Sequence, residues 1–288
     1  MNVVPAGRAL GPLVSLLLGL GSVTGGCSAD GQEGASASPE RSAVSPTSTP
    51  SPAYDPLPWR AVDGPLGRCG PLPQRVADQR YQLVSLRGPA GAVLPAVTAG
   101  HGRTVAILVH QTDGNGLCGW LSFAQHLAGV PGVRALALDL CTYGEARCEG
   151  GYVERQTDQV RLAVDHALET LHAERVVLVG ASMGGSLAVL TAARDHRVDA
   201  VVDLSGPDEW AAPAVHVAAR GLEAPTLFAV ARDEGEDEVA AMRKAAASAP
   251  RGSELALEEA GHGYELLEEP DGRPTGLSGR VLAWVRGR

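Results

Sequence analysis

Hydrophobic positions along residues 59–288 follow two alternating patterns, which predict alternating strands and helices. The run 104–109 is continuously apolar after its first residue, as is typical of a strand buried on both faces of a sheet. The stretch 154–172 instead carries Val160, Val164 and Leu168 at helical spacing, which predicts an amphipathic helix. The predicted strands are 81–86, 92–97, 104–109, 134–138, 176–179, 198–204, 225–230 and 255–258, and the predicted helices are 121–127, 154–172, 186–193, 210–220, 239–247 and 277–285.

Strict alternation of strands and helices favours one α/β domain over residues 61–288. Right-handed crossovers then give a mostly parallel central sheet with helices on both faces. In such sheets the chemistry gathers at the carboxyl ends of the strands. Only about twenty residues separate the strands 198–204 and 225–230, which leaves room for one helix and no large lid.

The N-terminal segment 1–26 is interpreted as an export signal. Arg8 precedes an apolar run that is too short to span a bilayer, and Thr24-Gly25-Gly26 then leads to Cys27. The segment resembles a bacterial lipoprotein signal, although Thr24 stands where such signals usually carry Leu. The resemblance implies a lipid on Cys27 and a membrane-anchored protein that faces outside. The alternative is an ordinary signal peptide and a secreted protein, and the mass of the mature N-terminus distinguishes the two.

Residues 27–60 are rich in Ser, Pro, Thr, Ala and Gly and contain almost no large apolar residue. Such a stretch cannot bury enough surface to offset the entropy of ordering it, so we expect a disordered tether. A coil of roughly 30 residues spans about 30 Å.

Composition and charge narrow the classes of function. The chain carries 33 acidic and 24 basic residues, a net charge of −9, which disfavours binding to nucleic acid. Four cysteines follow Cys27, and in an exported domain an even number favours disulfides over a metal. Four cysteines allow three pairings, of which we favour Cys141–Cys148 with Cys69–Cys118. No metal or organic cofactor is implied.

The segment Gly180-Ala181-Ser182-Met183-Gly184 carries the strongest chemical signal. It fits the pattern G-x-S-x-G and joins a buried strand to a helix without a gap. A turn this tight needs glycines, and it exposes the serine hydroxyl at a helix N-terminus. Ser182 is therefore a candidate nucleophile, and the alternative is a simple N-cap.

With its context, this segment is similar to the α/β-hydrolase superfamily, over roughly residues 75–288. The other supporting motifs are Ile107-Leu108-Val109-His110-Gln111 and Ala260-Gly261-His262-Gly263. The superfamily orders its catalytic residues as nucleophile, acid and histidine along the chain. The resemblance implies that His262, between the last strand and the last helix, is the base for Ser182.

The acid that orients His262 is expected after the strand 225–230. The resemblance implies Asp233 for this role, although Glu234, Glu236 and Asp237 crowd the same turn. Asp203, at the end of the preceding strand, is the alternative.

Two backbone N–H groups must stabilise the oxyanion of an acyl-transfer intermediate. The resemblance implies Met183, after the nucleophile, and Gln111, where the superfamily usually has Gly. His110 is expected to orient this loop. Aromatic residues make up only 4% of the chain, so we expect a modest open pocket for small or soluble esters. Its expected lining residues are His110, Cys118, Trp120, Tyr143 and Trp210.

The resulting hypothesis is a serine hydrolase that cleaves a small-molecule carboxylic ester through an acyl-enzyme. Two alternatives stay open. One is a peptidase or acyltransferase that uses the same triad, because the triad sets the chemistry and not the leaving group. The other is an inactive, tethered binding protein on a hydrolase scaffold.

Overall fold

The computed structural model describes residues 59–113, 116–269 and 272–287. The predicted signal 1–26, Cys27 and nearly all of the predicted tether 27–60 lie outside the described residues. At the start of the described chain, Trp59–Arg60 pairs with Leu72–Pro73 in a two-residue antiparallel ladder.

One eight-stranded sheet organises the domain. The strands are β1 Gln82–Arg87, β2 Val93–Gly100, β3 Thr104–Val109, β4 Val133–Leu138, β5 Arg175–Ala181, β6 Ala200–Leu204, β7 Thr226–Ala231 and β8 Glu254–Glu258. Their order across the sheet is β8-β7-β6-β5-β3-β4-β2-β1. The pairs β1–β2 and β2–β4 are antiparallel, and the other neighbours are parallel. The predicted α/β architecture, with a mostly parallel sheet, is confirmed.

Helices cover both faces of this sheet. The α-helices are α1 Gln74–Ala77, α2 Leu121–Ala128, α3 Gln156–Glu169, α4 Met183–Ala192, α5 Val215–Ala218, α6 Glu236–Ser248 and α7 Gly276–Val285. Alternate strand residues enter two separate cores, with Ile107 and Leu178 on the side of α3 to α6, and Leu108 and Val179 on the side of α1, α2 and α7. Burial on both faces explains why these strands are continuously apolar.

The predicted helix 210–220 is wrong over most of its length. The structure is helical only over Val215–Ala218, followed by a 3-10 turn over Ala219–Gly221. Pro213 lacks the backbone N–H that a helix interior needs, so the chain before it runs as a loop. Within the described residues, the connection between β6 and β7 therefore holds no large lid.

Both predicted disulfides are present. Cys69 is bonded to Cys118 with a Cα–Cα distance of 5.2 Å, and Cys141 is bonded to Cys148 with a Cα–Cα distance of 5.7 Å. Each bond constrains the unfolded chain, a stabilisation of about 2–4 kcal/mol. The first fixes the segment before the sheet to the loop after β3, and the second closes the loop after β4.

Across the described ranges, no helix combines the length and the apolar character needed to cross a bilayer.

Candidate active site

Ser182 lies in a strained turn between the central strand β5 and helix α4. Its backbone adopts φ 49° and ψ −119°, a conformation that is rare for any residue except glycine. Its N–H donates to the carbonyl oxygen of Leu204 at 2.7 Å, which fixes the turn to β6. A side chain at Gly180 would collide with the backbone of Gly184, so the turn requires glycine there. The predicted strand-to-helix turn is thus present, and its backbone is strained at Ser182.

The side chain of Ser182 is free for chemistry. It accepts no hydrogen bond from the first turn of α4, so it does not act as the N-cap that was the alternative interpretation. The residue is half-buried, and no hydrogen bond to its hydroxyl, including one from His262, occurs among the described residues. Catalytic hydrogen bonds are in general often long or poorly aligned until substrate binds.

His262 has a carboxylate partner, and that partner is Glu234. The Nδ1 atom of His262 lies 2.6 Å from Oε2 of Glu234. The predicted Asp233 is exposed and is wrong as the residue that contacts His262. The reason is the 3-10 turn Arg232–Glu234 after β7, which folds Glu234 back so that its Oε1 accepts from the N–H of Ala231 at 3.0 Å.

The surroundings of this pair favour a charged carboxylate. Oε1 of Glu234 also accepts from the hydroxyl of Ser205 at 2.6 Å. Burial alone would raise the pKa of Glu234, but the hydrogen bonds from His262, Ser205 and Ala231 outweigh it and hold that pKa below its usual value. The hydrogen bond to Glu234 raises the pKa of His262 despite the opposing effect of burial. The pair can therefore accept and hold a proton.

The other carboxylates considered from the sequence lie elsewhere. Asp203 is fully buried, its Oδ1 accepts from the N–H of Gly206 at 2.8 Å, and it makes no hydrogen bond to His262. Burial raises the pKa of Asp203 to about 7, and the charge of Glu234 adds to the effect. Glu236 and Asp237 are exposed in the first turn of α6, where negative charge stabilises a helix.

His110 orients the loop after β3, as predicted, but it does not line an open pocket. Its ring is fully buried, and burial lowers its pKa. Nε2 accepts from the N–H of Leu140 at 3.1 Å, which leaves the ring proton on Nδ1, where it is donated to the carbonyl oxygen of Gln111 at 2.8 Å. One imidazole therefore joins the loops after β3 and β4.

The two predicted oxyanion donors remain available. Among the described residues, no hydrogen bond uses the backbone N–H of Gln111 or of Met183. Met183 is the first residue of α4, and the first N–H groups of a helix have no partner within it. The side chain of Gln111 accepts weakly, at 3.4 Å, from the N–H of Tyr264, which joins this loop to the one that carries His262.

Two of the expected pocket residues lie near these groups. Tyr143 is half-buried and packs edge-on against His110, with 4.6 Å between ring centroids. Trp210 is exposed, and its Nε1 donates to Oε1 of Gln156 at 3.0 Å. Gln156 in turn contacts the sulfur of Met183 at 3.6 Å. Trp210 is thus linked through Gln156 to the buried side chain of Met183, the residue that follows Ser182.

Trp120 is wrong as a pocket residue. It is fully buried and packs against Phe123 and Tyr264 in the core on the side of α2 and α7. Cys118 is bonded to Cys69 and is nearly buried. A cavity of about 890 Å³ lies behind the His262 loop, lined by Phe123, Tyr264 and their neighbours, but neither Ser182 nor His262 lines it. Over the same described ranges, no group of three His, Cys, Asp or Glu side chains is placed to hold a metal ion.

The sequence narrows the carboxylate partner of His262 without choosing it. Glu234 is one of four carboxylates in the acidic run that fit the pattern, and only the turn geometry selects it over Asp233. Ser205 and Gln156 belong to no motif, so no sequence signal indicates their contacts with Glu234 and Met183, 29 and 27 positions away.

The solved structures that are similar to this chain include esterases and other hydrolases. The esterase Pf2001 from Pyrococcus furiosus matches with a TM-score of 0.60 and 15% identity over 75% of this chain and 93% of its own. A provisionally assigned dienelactone hydrolase from Klebsiella pneumoniae matches with a TM-score of 0.55 and 20% identity over 73% of this chain and 99% of its own. The sheet order, the strained serine turn and these likenesses show that the chain has the α/β-hydrolase fold.

The family match falls on the part of the chain that carries the site. Residues 145–270 match the model of the Dienelactone hydrolase family. That range includes Ser182, Glu234 and His262. None of the curated proteins matches the sequence significantly.

Proposed function

We propose that this protein is a serine hydrolase that cleaves carboxylic esters of small or soluble substrates. Ser182 is the nucleophile, His262 the general base and Glu234 the carboxylate that orients it. One observation carries the proposal. Ser182 in its strained turn, Glu234 and His262 all follow the carboxyl ends of parallel strands in one sheet, and His262 and Glu234 are in contact at 2.6 Å. Metal and organic cofactors have no role in the proposed steps.

In the first half of the reaction, Oγ of Ser182 attacks the ester carbonyl carbon while Nε2 of His262 takes its proton. Glu234 stabilises the imidazolium through Nδ1. The developing oxyanion accepts hydrogen bonds from the backbone N–H groups of Gln111 and Met183, each worth about 3 kcal/mol in the barrier. The carbon–oxygen bond to the leaving alkoxide then breaks, and His262 protonates that alkoxide.

In the second half, water attacks the acyl-enzyme at the same carbonyl carbon. His262 takes a proton from the water, and the same two N–H groups stabilise the second oxyanion. When the intermediate collapses, Ser182 leaves with the proton from His262 and the carboxylic acid is released. Each step uses only groups of this chain and water.

The family match supports esters, including cyclic ones, as substrates to test first. A dienelactone, the substrate in the family's name, is a cyclic ester. The short connection between β6 and β7 favours an accessible site, and Trp210 within that connection is exposed. We therefore propose small soluble esters and lactones over long acyl chains.

The first test compares hydrolysis of p-nitrophenyl acetate, a lactone and an anilide by the folded domain and its Ser182→Ala variant. We expect ester and lactone turnover, with a loss of at least about 10³-fold in Ser182→Ala because the nucleophile is gone. Ser186→Ala is the matched control, since this buried hydroxyl of α4 donates to the carbonyl of Pro207 and touches neither His262 nor Glu234.

Three results would contradict the proposal. Equal rates for wild type and Ser182→Ala would exclude Ser182 as the nucleophile. Preference for the anilide over the ester would favour a peptidase. Binding of esters without turnover would favour a binding protein on this scaffold.

A further inference from the structure

Ser205 connects the two loops that supply the acid and the base of the proposed triad. Its hydroxyl donates to Oε1 of Glu234 at 2.6 Å and accepts from the N–H of Gly263, the residue after His262, at 3.1 Å. Its own N–H donates to the carbonyl oxygen of Ala229 in β7 at 2.8 Å. One buried side chain therefore touches the loop after β7 and the loop after β8.

The backbone of Ser205 indicates that this placement is specific. Its φ is 59°, in the left-handed region that residues other than glycine rarely adopt. Ser205 directly follows β6, whose last residue Leu204 pairs with Ala229. Residues held in such strained conformations concentrate at functional sites.

We propose that Ser205 is a positioning residue for the triad, which holds Glu234 in its contact with His262 and fixes the His262 loop. It touches no substrate atom in this role and acts through Glu234 and Gly263. The inference rests on the proposed function, because it assigns Ser205 to the same site.

The proposal predicts the direction in which loss of the Ser205 hydroxyl changes the pKa of His262. A hydrogen bond to a carboxylate is stronger when that carboxylate is not neutralised by a neighbouring cation. The Ser205 hydroxyl therefore stabilises ionised Glu234 more when His262 is neutral than when it is an imidazolium. Ser205 thus favours the neutral, base-competent His262, and removal of the hydroxyl should raise the pKa of His262.

Other charged groups face the pair and stay the same in the comparison. Asp203 at the end of β6 interacts with Glu234, and Glu238 and Glu265 act on the charge of His262. All three are acidic. All three are also present in Ser186→Ala, so this control carries the same acidic surroundings as the Ser205 variants.

The experiment measures kcat/KM for p-nitrophenyl acetate from pH 5 to 9 in wild type, Ser205→Ala, Ser205→Gly and Ser186→Ala. Ser205→Gly keeps the positive φ without strain, so the loss of the hydroxyl is tested even if Ser205→Ala folds poorly. Ser186→Ala removes a buried hydroxyl that donates to the carbonyl oxygen of Pro207, in the loop after β6 that also carries Ser205. That hydroxyl makes no hydrogen bond to the triad.

We expect both Ser205 variants to lose about tenfold in kcat/KM at neutral pH and to shift the acid limb of the profile upward. Ser186→Ala should keep the wild-type limb. An acid limb that is unmoved or shifted downward in both Ser205 variants would overturn the proposal. If Ser182→Ala and Glu234→Gln each lose at least about 10²-fold in the same assays, that failure concerns Ser205 alone; if they do not, the proposed function itself has failed.

Discussion

Two histidine–carboxylate pairs in this molecule share the same contact distance but differ in exposure and in the parts of the chain that they join. His262 lies 2.6 Å from Glu234, and His216 lies 2.6 Å from Asp208. The side chain of His262 is 45% exposed, whereas that of His216 is 16% exposed. Distance alone therefore does not identify a catalytic pair.

The difference lies in what each pair joins. Asp208 also accepts from the backbone N–H of His216 at 2.8 Å, and its carbonyl accepts from the N–H of Val215, so this pair closes the start of the short helix α5. Glu234 and His262 instead come from loops after two different strands, and a side chain at Gly263, next to His262, would meet Ala181, the residue before Ser182. The first pair stabilises a local turn, and the second brings distant loops together at the serine.

The strongest way to break this comparison is to remove each histidine in turn. We expect His262→Ala to lose at least about 10³-fold in kcat on p-nitrophenyl acetate, because the general base is gone. His216→Ala should keep kcat within about threefold and lose about 1–3 kcal/mol of stability, because the half-buried carboxylate of Asp208 loses its imidazole partner. Steady-state kinetics and thermal unfolding measure the two effects. Comparable losses of kcat in two folded variants would show that the pairs are not functionally distinct.

A second test separates the two neighbouring acids. We expect Glu234→Gln to reduce kcat by about 10²- to 10⁴-fold, because an amide neither orients the neutral imidazole correctly nor stabilises its cation. Asp233→Asn, one residue away and exposed, should retain wild-type kinetics. The reverse ranking would restore Asp233 as the acid.

That one-residue difference shows where sequence reasoning reaches its limit. The strand-to-helix glycines around Ser182 and the glycines that flank His262 are local signals, and both sequence predictions coincide with the observed elements. The choice between Asp233 and Glu234 depends on a 3-10 turn that no pattern in the acidic run encodes. The contacts of Ser205 depend on two loops meeting, which is a property of the tertiary structure.

Trp120 shows the same limit for the packing of loop side chains. An aromatic residue in a glycine-rich loop fits a pocket wall, but the 3-10 turn Gly116–Trp120 directs this ring into the core. Continuously apolar strands such as 104–109 are predictable because burial on both faces leaves no polar positions. Loop side chains have no such periodic constraint.

The smallest expected effect concerns Asp203, a buried carboxylate with no histidine. Burial raises its pKa to about 7, and its Oδ2 has no hydrogen-bond partner among the described residues. Because the folded state binds this proton more tightly than the unfolded state, Asp203 lowers stability progressively as pH rises from about 4 to about 7. Asp203→Asn should therefore show a smaller drop in Tm between pH 5 and pH 8 than wild type.

Thermal unfolding at the two pH values, with Glu236→Gln as an exposed control, measures this effect. The control should keep the wild-type drop. An unchanged drop in Asp203→Asn would mean that Asp203 is ionised in the folded state throughout that range.

The most direct measurement of the central claim is the site of covalent labelling by an alkyl fluorophosphonate, read by intact mass and peptide mapping. We expect one adduct per chain, on Ser182, with loss of esterase activity in proportion to labelling and no adduct in Ser182→Ala. An adduct on another residue, or full ester hydrolysis by protein that takes up no label, would contradict the role of Ser182 as the nucleophile.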